Sequence, residues 1–296
     1  MSRIAVPALV DILTVDDSTM IAAIAADRRF DRKYEARGPL LNRVILRRVR
    51  RVLALGGGPL PPVAEHGPLR PLAVQRGTQR RLDALAAAGL AGPDIDALVG
   101  YVRGEGGVKR AGMLAQQAVG RLFDPEYRAD AEGWGAALVL RDAPGTFNPL
   151  KRLGWALTGR IAAARALLAE RVGQDPTGLH ATGVAIHNLA EAFTRMRLLH
   201  ADPSACGLHS PAAAVAATLV APKQVLRQPV GAGVCAAGEF TADTLVLLRL
   251  DKARARDPGY RTVFMAGTWS ACPASGWVPA LLAAVWRGAT AGEPDQ

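Results

Sequence analysis

The sequence predicts a mainly α protein with a small β element in its C-terminal third. Apolar residues recur at helical spacing through most of the first 220 residues. Between residues 225 and 250 the pattern shifts to short β-branched and leucine runs separated by glycines. Half of the 296 residues are hydrophobic. That is enough apolar material for a sizeable core and too much for a disordered chain.

Asp16 or Asp17 caps a first predicted helix, DSTMIAAIAADRRF, in which Met20, Ile21, Ile24 and Ala25 share one face. A second helix runs from Arg43 to Leu55 and stops at Gly56, Gly57 and Gly58. The prolines and glycine of LPPVAEHGPLRP mark a loop. Further helices are predicted over Arg76–Leu90, Asp94–Val102 and Met113–Leu122, the last stopping near Asp124-Pro125. Leu150–Val172 reads as one long alanine-rich helix. Asp175, Pro176 and Thr177 form a cap and first turn for another that runs to about Leu199. A shorter helix follows Pro211 and ends at Val220. VLRQPV, GVCAAGEF and TLVLLRL are the predicted strands, and GWVPALLAAVW returns to helix with Pro279 in its first turn. No repeat and no polar linker marks a boundary, so residues 1–296 are expected to form a single domain.

Composition excludes several classes. Three cysteines rule out a disulfide scaffold and suit a reducing compartment. No run reaches the 18 apolar residues of a membrane span, and MSRIAVPALVDILTVDD is not a signal peptide, so a cytoplasmic location is expected. The net charge is +10, with 36 basic against 26 acidic residues. Arg43, Arg47, Arg48, Arg50 and Arg51 crowd one helix and are expected to cover more than one face. Such a run is either a solvated surface or a docking site for an anionic partner. No zinc-finger spacing, aromatic RNA-binding signature or recognition helix accompanies it, so nucleic acid is not expected.

The common catalytic motifs are missing. Gly56–Gly58 lacks the strand–turn–helix setting of a phosphate loop. There is no G-x-S-x-G and no H-E-x-x-H. Cys206-Gly-Leu-His209 is half a zinc site without a second half, and His180, His187 and His200 lack zinc spacing.

One region carries a positive signal. Arg227 lies shortly after Pro222. Thr244-Leu245-Val246 follows in a predicted strand, and Ala253, Arg256, Asp257 and Pro258 close a helix in the manner of A-x-R-D-P, with one residue more between the alanine and the arginine. Phe264 and Gly267 open a loop of small residues that delivers Cys272 ahead of a helix. This order, over about residues 220–286, resembles the C-terminal part of the cytochrome P-450 (haem-thiolate monooxygenase) superfamily. The resemblance implies a P-450-like helical fold and a haem b whose iron is held by the Cys272 thiolate. It implies Arg227 as the anchor of a haem propionate and Gly267 as part of the cofactor loop. It also implies a small to medium apolar substrate and an acidic ferredoxin-type electron donor docking on the basic surface. The chemistry of the loop agrees: a thiolate needs N–H donors, which small residues allow to approach, and a nearby helix start adds a favourable dipole. Cys206 and Cys235 lack that setting.

The departures are specific. In the family loop, F-x-x-G-x-R-x-C-x-G, the cysteine stands one residue earlier than Cys272 does. Two before and two after the cysteine, arginine and glycine are replaced by Ser270 and Ala274. The six residues from Pro258 to Phe264 are a short meander, without its arginine. The buried E-x-x-R pair falls near Ala216 and Leu219; losing both partners leaves no charge unpaired. For the proton-delivering acid and alcohol of the central helix, A-G-x-[DE]-T, the nearest match is TGLHAT. There His180 takes the acid position, Ala181 the alcohol position and Thr182 comes next; His187 is the second candidate for the acid. These departures imply a shortened, divergent member. It would be either an enzyme that runs oxygen, peroxide or rearrangement chemistry, or a degenerate relative serving as a partner or regulatory subunit.

Overall fold

The computed structural model describes residues 1–32, 34–55, 58–59, 70–146, 148–202, 210–257 and 259–291. The chain divides into two compact units. The first comprises Met1–Arg80 and Ala221–Ser275, the second Arg81–Val220 and Gly276–Gln296. One of the crossings between them falls inside a helix, which is why no linker is visible in the sequence.

The first unit is built on a five-stranded sheet. Its strands are β1 (Ser2–Val6), β2 (Val10–Val15), β3 (Phe30–Asp31), β6 (Val225–Pro229) and β9 (Leu245–Leu248), in the order β1-β2-β9-β6-β3. Two further pairs are β4 (Ala54–Leu55) with β5 (Gly58–Pro59), and β7 (Gly233–Cys235) with β8 (Gly238–Phe240). The three predicted strand segments are all present. The sequence reading missed that β1, β2 and β3, from the N-terminal end, complete the sheet. β2 pairs with β9 in parallel, Ile12 opposite Leu245, while β6 pairs with β9 antiparallel, placing Arg227 opposite Val246.

The helices of this unit are α1 (Ser18–Ala26), α2 (Leu40–Leu53), α12 (Leu250–Arg256), α13 (Tyr260–Phe264) and the first turns of α3 (Arg70–Ala87). Asp17 caps α1 by accepting the Met20 N–H at 2.9 Å. Leu46 and Val49 of α2 pack on Tyr34 and Leu245, with Ile12, Ile45 and Leu226 around them. On the other side of α2, Arg43, Arg47, Arg50 and Arg51 are exposed, and Arg48 is half-buried. The four exposed arginines fall in one stripe about 100° wide rather than on several faces. Burial of the apolar side settles this.

The second unit is helical. It contains the rest of α3 and α4 (Pro93–Val102), α5 (Ala111–Gly120), α6 (Ala131–Asp142), α7 (Pro149–Leu157) and α8 (Arg160–Arg171). α9 (Pro176–His180), α10 (Ile186–His200), α11 (Pro211–Thr218) and α14 (Trp277–Thr290) complete it. The single helix expected over Leu150–Val172 is two, because Gly159 adopts φ 61° between α7 and α8. α6 was not foreseen; Asp130 caps it by accepting the Gly133 N–H at 2.7 Å. α9 and α10 are joined by a π-helical turn over Ala181–Ala185, so 176–200 is one continuous helix. α10 packs against α4, α5, α11 and α14 and is the central helix of this unit. No described helix is long and apolar enough to cross a membrane.

Candidate functional site

Three of the sequence-predicted site residues, Arg227, Gly267 and Cys272, belong to the first unit. Arg227 is the middle residue of β6, and its side chain is 1% exposed. Its Nη1 donates to the Leu226 carbonyl at 2.8 Å and its Nη2 lies 3.5 Å from the Met265 sulfur. Its Nε has no hydrogen-bond partner, and no described carboxylate forms an ion pair with it. Burial first, and the neighbouring charge of Arg32 second, depress its pKa to about 10. A buried guanidinium without a carboxylate is costly and marks a place where an anion belongs.

Cys272 ends a loop that starts where α13 stops. Met265 takes the left-handed conformation at φ 48° and Gly267 follows at φ 79°. The Cys272 N–H donates to the Phe264 carbonyl at 2.8 Å and closes the loop. Thr268 Oγ1 donates to the Met265 carbonyl at 2.7 Å, and Ser270 Oγ donates to the Ala25 carbonyl at 3.0 Å, which ties the loop to the end of α1. Gly267 is needed for its backbone: a Cβ there would meet nothing within 4 Å, but the positive φ disfavours any side chain.

Cys272 is half-buried. Burial pushes its thiol pKa up, while the Ala274 backbone N–H and the Arg32 charge pull the other way. Ala274, the small residue two after the cysteine, thus presents an amide to the sulfur, as the loop composition predicts. The helix start does not lie immediately beside the cysteine in the chain: α14 begins at Trp277.

A further residue was missed. Arg32 follows β3 directly, is 8% exposed, and stacks its guanidinium 5.4 Å from the centre of the Trp269 ring. In the sequence it stands in RRFDRK and looks like surface charge. Only the burial of Phe30 and Asp31 beside it, at 0% and 3% exposure, turns it inward.

The distal candidates lie in the second unit. His180 ends α9 and the π turn begins at the next residue. Thr182 is fully buried; its Oγ1 donates to the Gly178 carbonyl at 2.8 Å, and its own carbonyl accepts from Gln116 Nε2 at 3.0 Å. His187 Nε2 donates to the Ala137 carbonyl at 2.9 Å and its ring packs 5.0 Å from that of Trp134. Burial holds its pKa below the usual histidine range. Cys235 belongs to the β7–β8 hairpin, with its Sγ 3.5 Å from the Gly238 carbonyl. Pro258, Cys206, His209 and most of the 60–71 loop lie outside the described residues.

Among the described residues no cluster of three or more His, Cys, Asp or Glu side chains could hold a metal ion. A single cysteine suits a metal whose remaining ligands come from a macrocycle. A buried cation with an orphaned N–H in the same unit suits a macrocycle that carries carboxylates. The residues present therefore fit a haem.

No family model matches the chain, and no curated protein matches it. Solved structures do. The chain is similar to the crystal structure of CYP105N1 from Streptomyces coelicolor A3(2), at 17% identity and a TM-score of 0.59, over 100% of this chain and 87% of that one. It is also similar to CxnD, a cytochrome P450 enzyme for C–S bond formation in chuangxinmycin biosynthesis. That match has 12% identity and a TM-score of 0.52, over 94% of this chain and 79% of CxnD. The fold is that of the cytochromes P450: mainly helical, with a small mixed sheet.

Proposed function

We propose that this chain is a haem-thiolate protein that oxidises a small to medium apolar organic molecule. The observation that carries the reading is Arg227, buried in β6 without a carboxylate partner, in the same unit as the Cys272 loop. Cys272 would hold the iron and Arg227 a propionate; Gly267 gives the loop its backbone path. Haem held by a thiolate supplies oxygen activation by favouring O–O cleavage. The protein's own part is to neutralise the carboxylates, direct the Ala274 amide at the sulfur and keep a dry apolar pocket. His180 and Thr182 are the proposed proton-handling residues. Their support is the π turn beginning at Ala181, since such turns recur at functional sites in helices. An acidic ferredoxin-type donor would dock on the basic surface.

The test is spectroscopic. Purified protein reconstituted with haem, reduced and exposed to carbon monoxide, is expected to show the red-shifted Soret band of a thiolate-ligated iron. The absence of any Soret band after reconstitution would remove this reading and leave the degenerate partner.

A further inference from the structure

We infer that the face of the first unit carrying α2 and the outer strand β1 docks on a membrane surface that contains anionic lipid. The inference goes beyond the haem-thiolate reading and does not depend on it.

Two observations carry it, and they fall on the same face. The first is an exposed apolar patch. β1 is the edge of the five-stranded sheet, and all five of its residues are exposed. Ile4 pairs with Ile12, and Val6 with Val10. Directly paired residues of an antiparallel ladder share a face. Ile12 packs on the cluster that contains Leu46 and Val49 of α2, so Ile4 and Val6 stand on the side of the sheet that α2 covers. Backbone bonds bring three leucines to the same edge. The Leu40 N–H donates to the Ala8 carbonyl at 3.0 Å, and the Leu41 N–H to the Leu9 carbonyl at 2.9 Å. Ile4, Val6, Leu9, Leu40 and Leu41 are each between 43% and 59% exposed. A single exposed apolar side chain is ordinary, but a group of them along an open sheet edge marks a surface that something covers.

The second is charge. Arg43, Arg47, Arg50 and Arg51 are exposed on α2, and no carboxylate among the described residues forms an ion pair with them. At about 100° per residue, Leu40 falls inside the stripe these arginines form, so the apolar patch runs into the cationic one. The carboxylates that flank the patch, Asp11 and Glu35, are bridged to Arg3 and Arg37, each at 3.0 Å. Asp243 lies against Gly38 and is exposed without a cation among the described residues. The guanidinium groups of the stripe outnumber it.

The occupant follows from this combination. A second copy packed across the face would bring the arginines of both copies together, which like-charge repulsion opposes. An acidic protein would satisfy the arginines but would also need an apolar surface shaped to Ile4, Leu9 and Leu41. An anionic bilayer supplies both without shape matching. Its acyl boundary takes the apolar side chains, and its phosphates take the guanidinium forks. Apolar insertion and a basic cluster are the two signals that together make peripheral binding stable. The protein lies on the membrane and does not span it.

The experiment is co-sedimentation of the full-length protein with vesicles of phosphatidylcholine alone or mixed with phosphatidylglycerol, at low and high salt. Wild type is expected to bind the mixed vesicles about tenfold or more tightly than the neutral ones, and to lose most of that binding at high salt. The double variant Arg43→Gln, Arg47→Gln should weaken binding about tenfold or more, at roughly fivefold for each arginine near the surface. The double variant Leu40→Ser, Leu41→Ser should weaken it by a similar factor, because those side chains enter the acyl boundary. Leu198→Ser, at an exposed position on α10, should bind as wild type does. The altered side chains face water in the free protein, so each variant is expected to keep the wild-type unfolding midpoint. Should one fail to fold, the lipid and salt dependence of wild type still decides. Binding to neither vesicle, or equal binding to both, would overturn the inference. Loss of binding in the arginine variant alone would overturn it in favour of an acidic macromolecule, and loss in the leucine variant alone would remove the role of charge. A wild-type dimer that dissociates in Leu40→Ser, Leu41→Ser and ignores vesicles would overturn it in favour of a second copy.

Discussion

The Cys272 N–H donates to the Phe264 carbonyl at 2.8 Å, so the cysteine is pinned to the end of the helix that precedes its loop. The loop that carries the sulfur is shaped by the left-handed turn at Met265, the positive φ of Gly267 and this closing bond, with Thr268 and Ser270 fastening it through their hydroxyls. The Cys272 side chain is left with the Ala274 amide as its donor.

Replacing the side chain should leave that backbone frame intact. Cys272→Ser is expected to abolish the thiolate spectrum and most haem retention while changing the apo unfolding midpoint little. Cys235→Ser, in the β7–β8 hairpin, should leave the spectrum unchanged. Normal haem content in Cys272→Ser would sink the assignment.

Arg227 should trade stability against binding. A pKa of about 10 for a fully buried arginine corresponds to roughly 3 kcal/mol against its charged form. The sign is that of a base depressed on folding. The penalty is complete below pH 10 and fades as the pH rises from there toward the ordinary arginine value. Arg227→Met is expected to raise the apo Tm by a few degrees, with some of the gain lost to imperfect packing. The same change should weaken haem binding several-fold, whereas Arg249→Leu should not. Calorimetry of the apo-protein and haem titration read the two effects separately; an apo Tm lowered by Arg227→Met would contradict the uncompensated charge.

His187 should make the protein acid-sensitive. It is buried, bonded to the Ala137 carbonyl and packed on Trp134, and its pKa is depressed by burial. Folding therefore favours neutral imidazole. The stability it contributes is present above the unfolded pKa of about 6.5 and is lost as pH falls through that value toward the folded one. Urea midpoints should drop between pH 7.5 and 5.5, and His187→Phe should flatten that drop. An identical slope in the variant would refute it.

The residues proposed to handle protons predict poor proton delivery. Ala181 has no proton to give, and the Thr182 hydroxyl already donates to Gly178. With haem bound, a reductant and oxygen should give mostly uncoupled turnover, with reducing equivalents recovered as hydrogen peroxide. Supplied peroxide should support product formation better than oxygen does. His180→Ala should lower the remaining activity by about tenfold or more, the lower end of what a general acid contributes. Tight coupling, indifferent to His180→Ala and Thr182→Ala, would move the proton path elsewhere.

Much of this molecule is determined by local chemistry and so can be read from sequence. Asp17 and Asp175 cap helices because a carboxylate next to a helical pattern satisfies its first amides. The order Arg227, Thr244-Leu245-Val246, Ala253 to Asp257 and Cys272 pointed to the fold, because strands, helix ends and a glycine-bearing cysteine loop each leave a residue pattern. Gly159 shows where local reading fails: helix propensity favoured one helix, and the chain used the glycine's positive φ to turn.

What tertiary structure alone decided is which charges are inside. Arg32 and the arginines of α2 look alike in sequence, yet Arg32 is buried under Trp269 while four of the others face water. The N-terminal strands joined the sheet because β2 buries Leu13 and Val15 beside β9, a pairing across more than 200 residues that no local pattern encodes. A guanidinium reads the same on a surface and in a core. Only the packing around it sets the desolvation penalty, and with it the need for an anion.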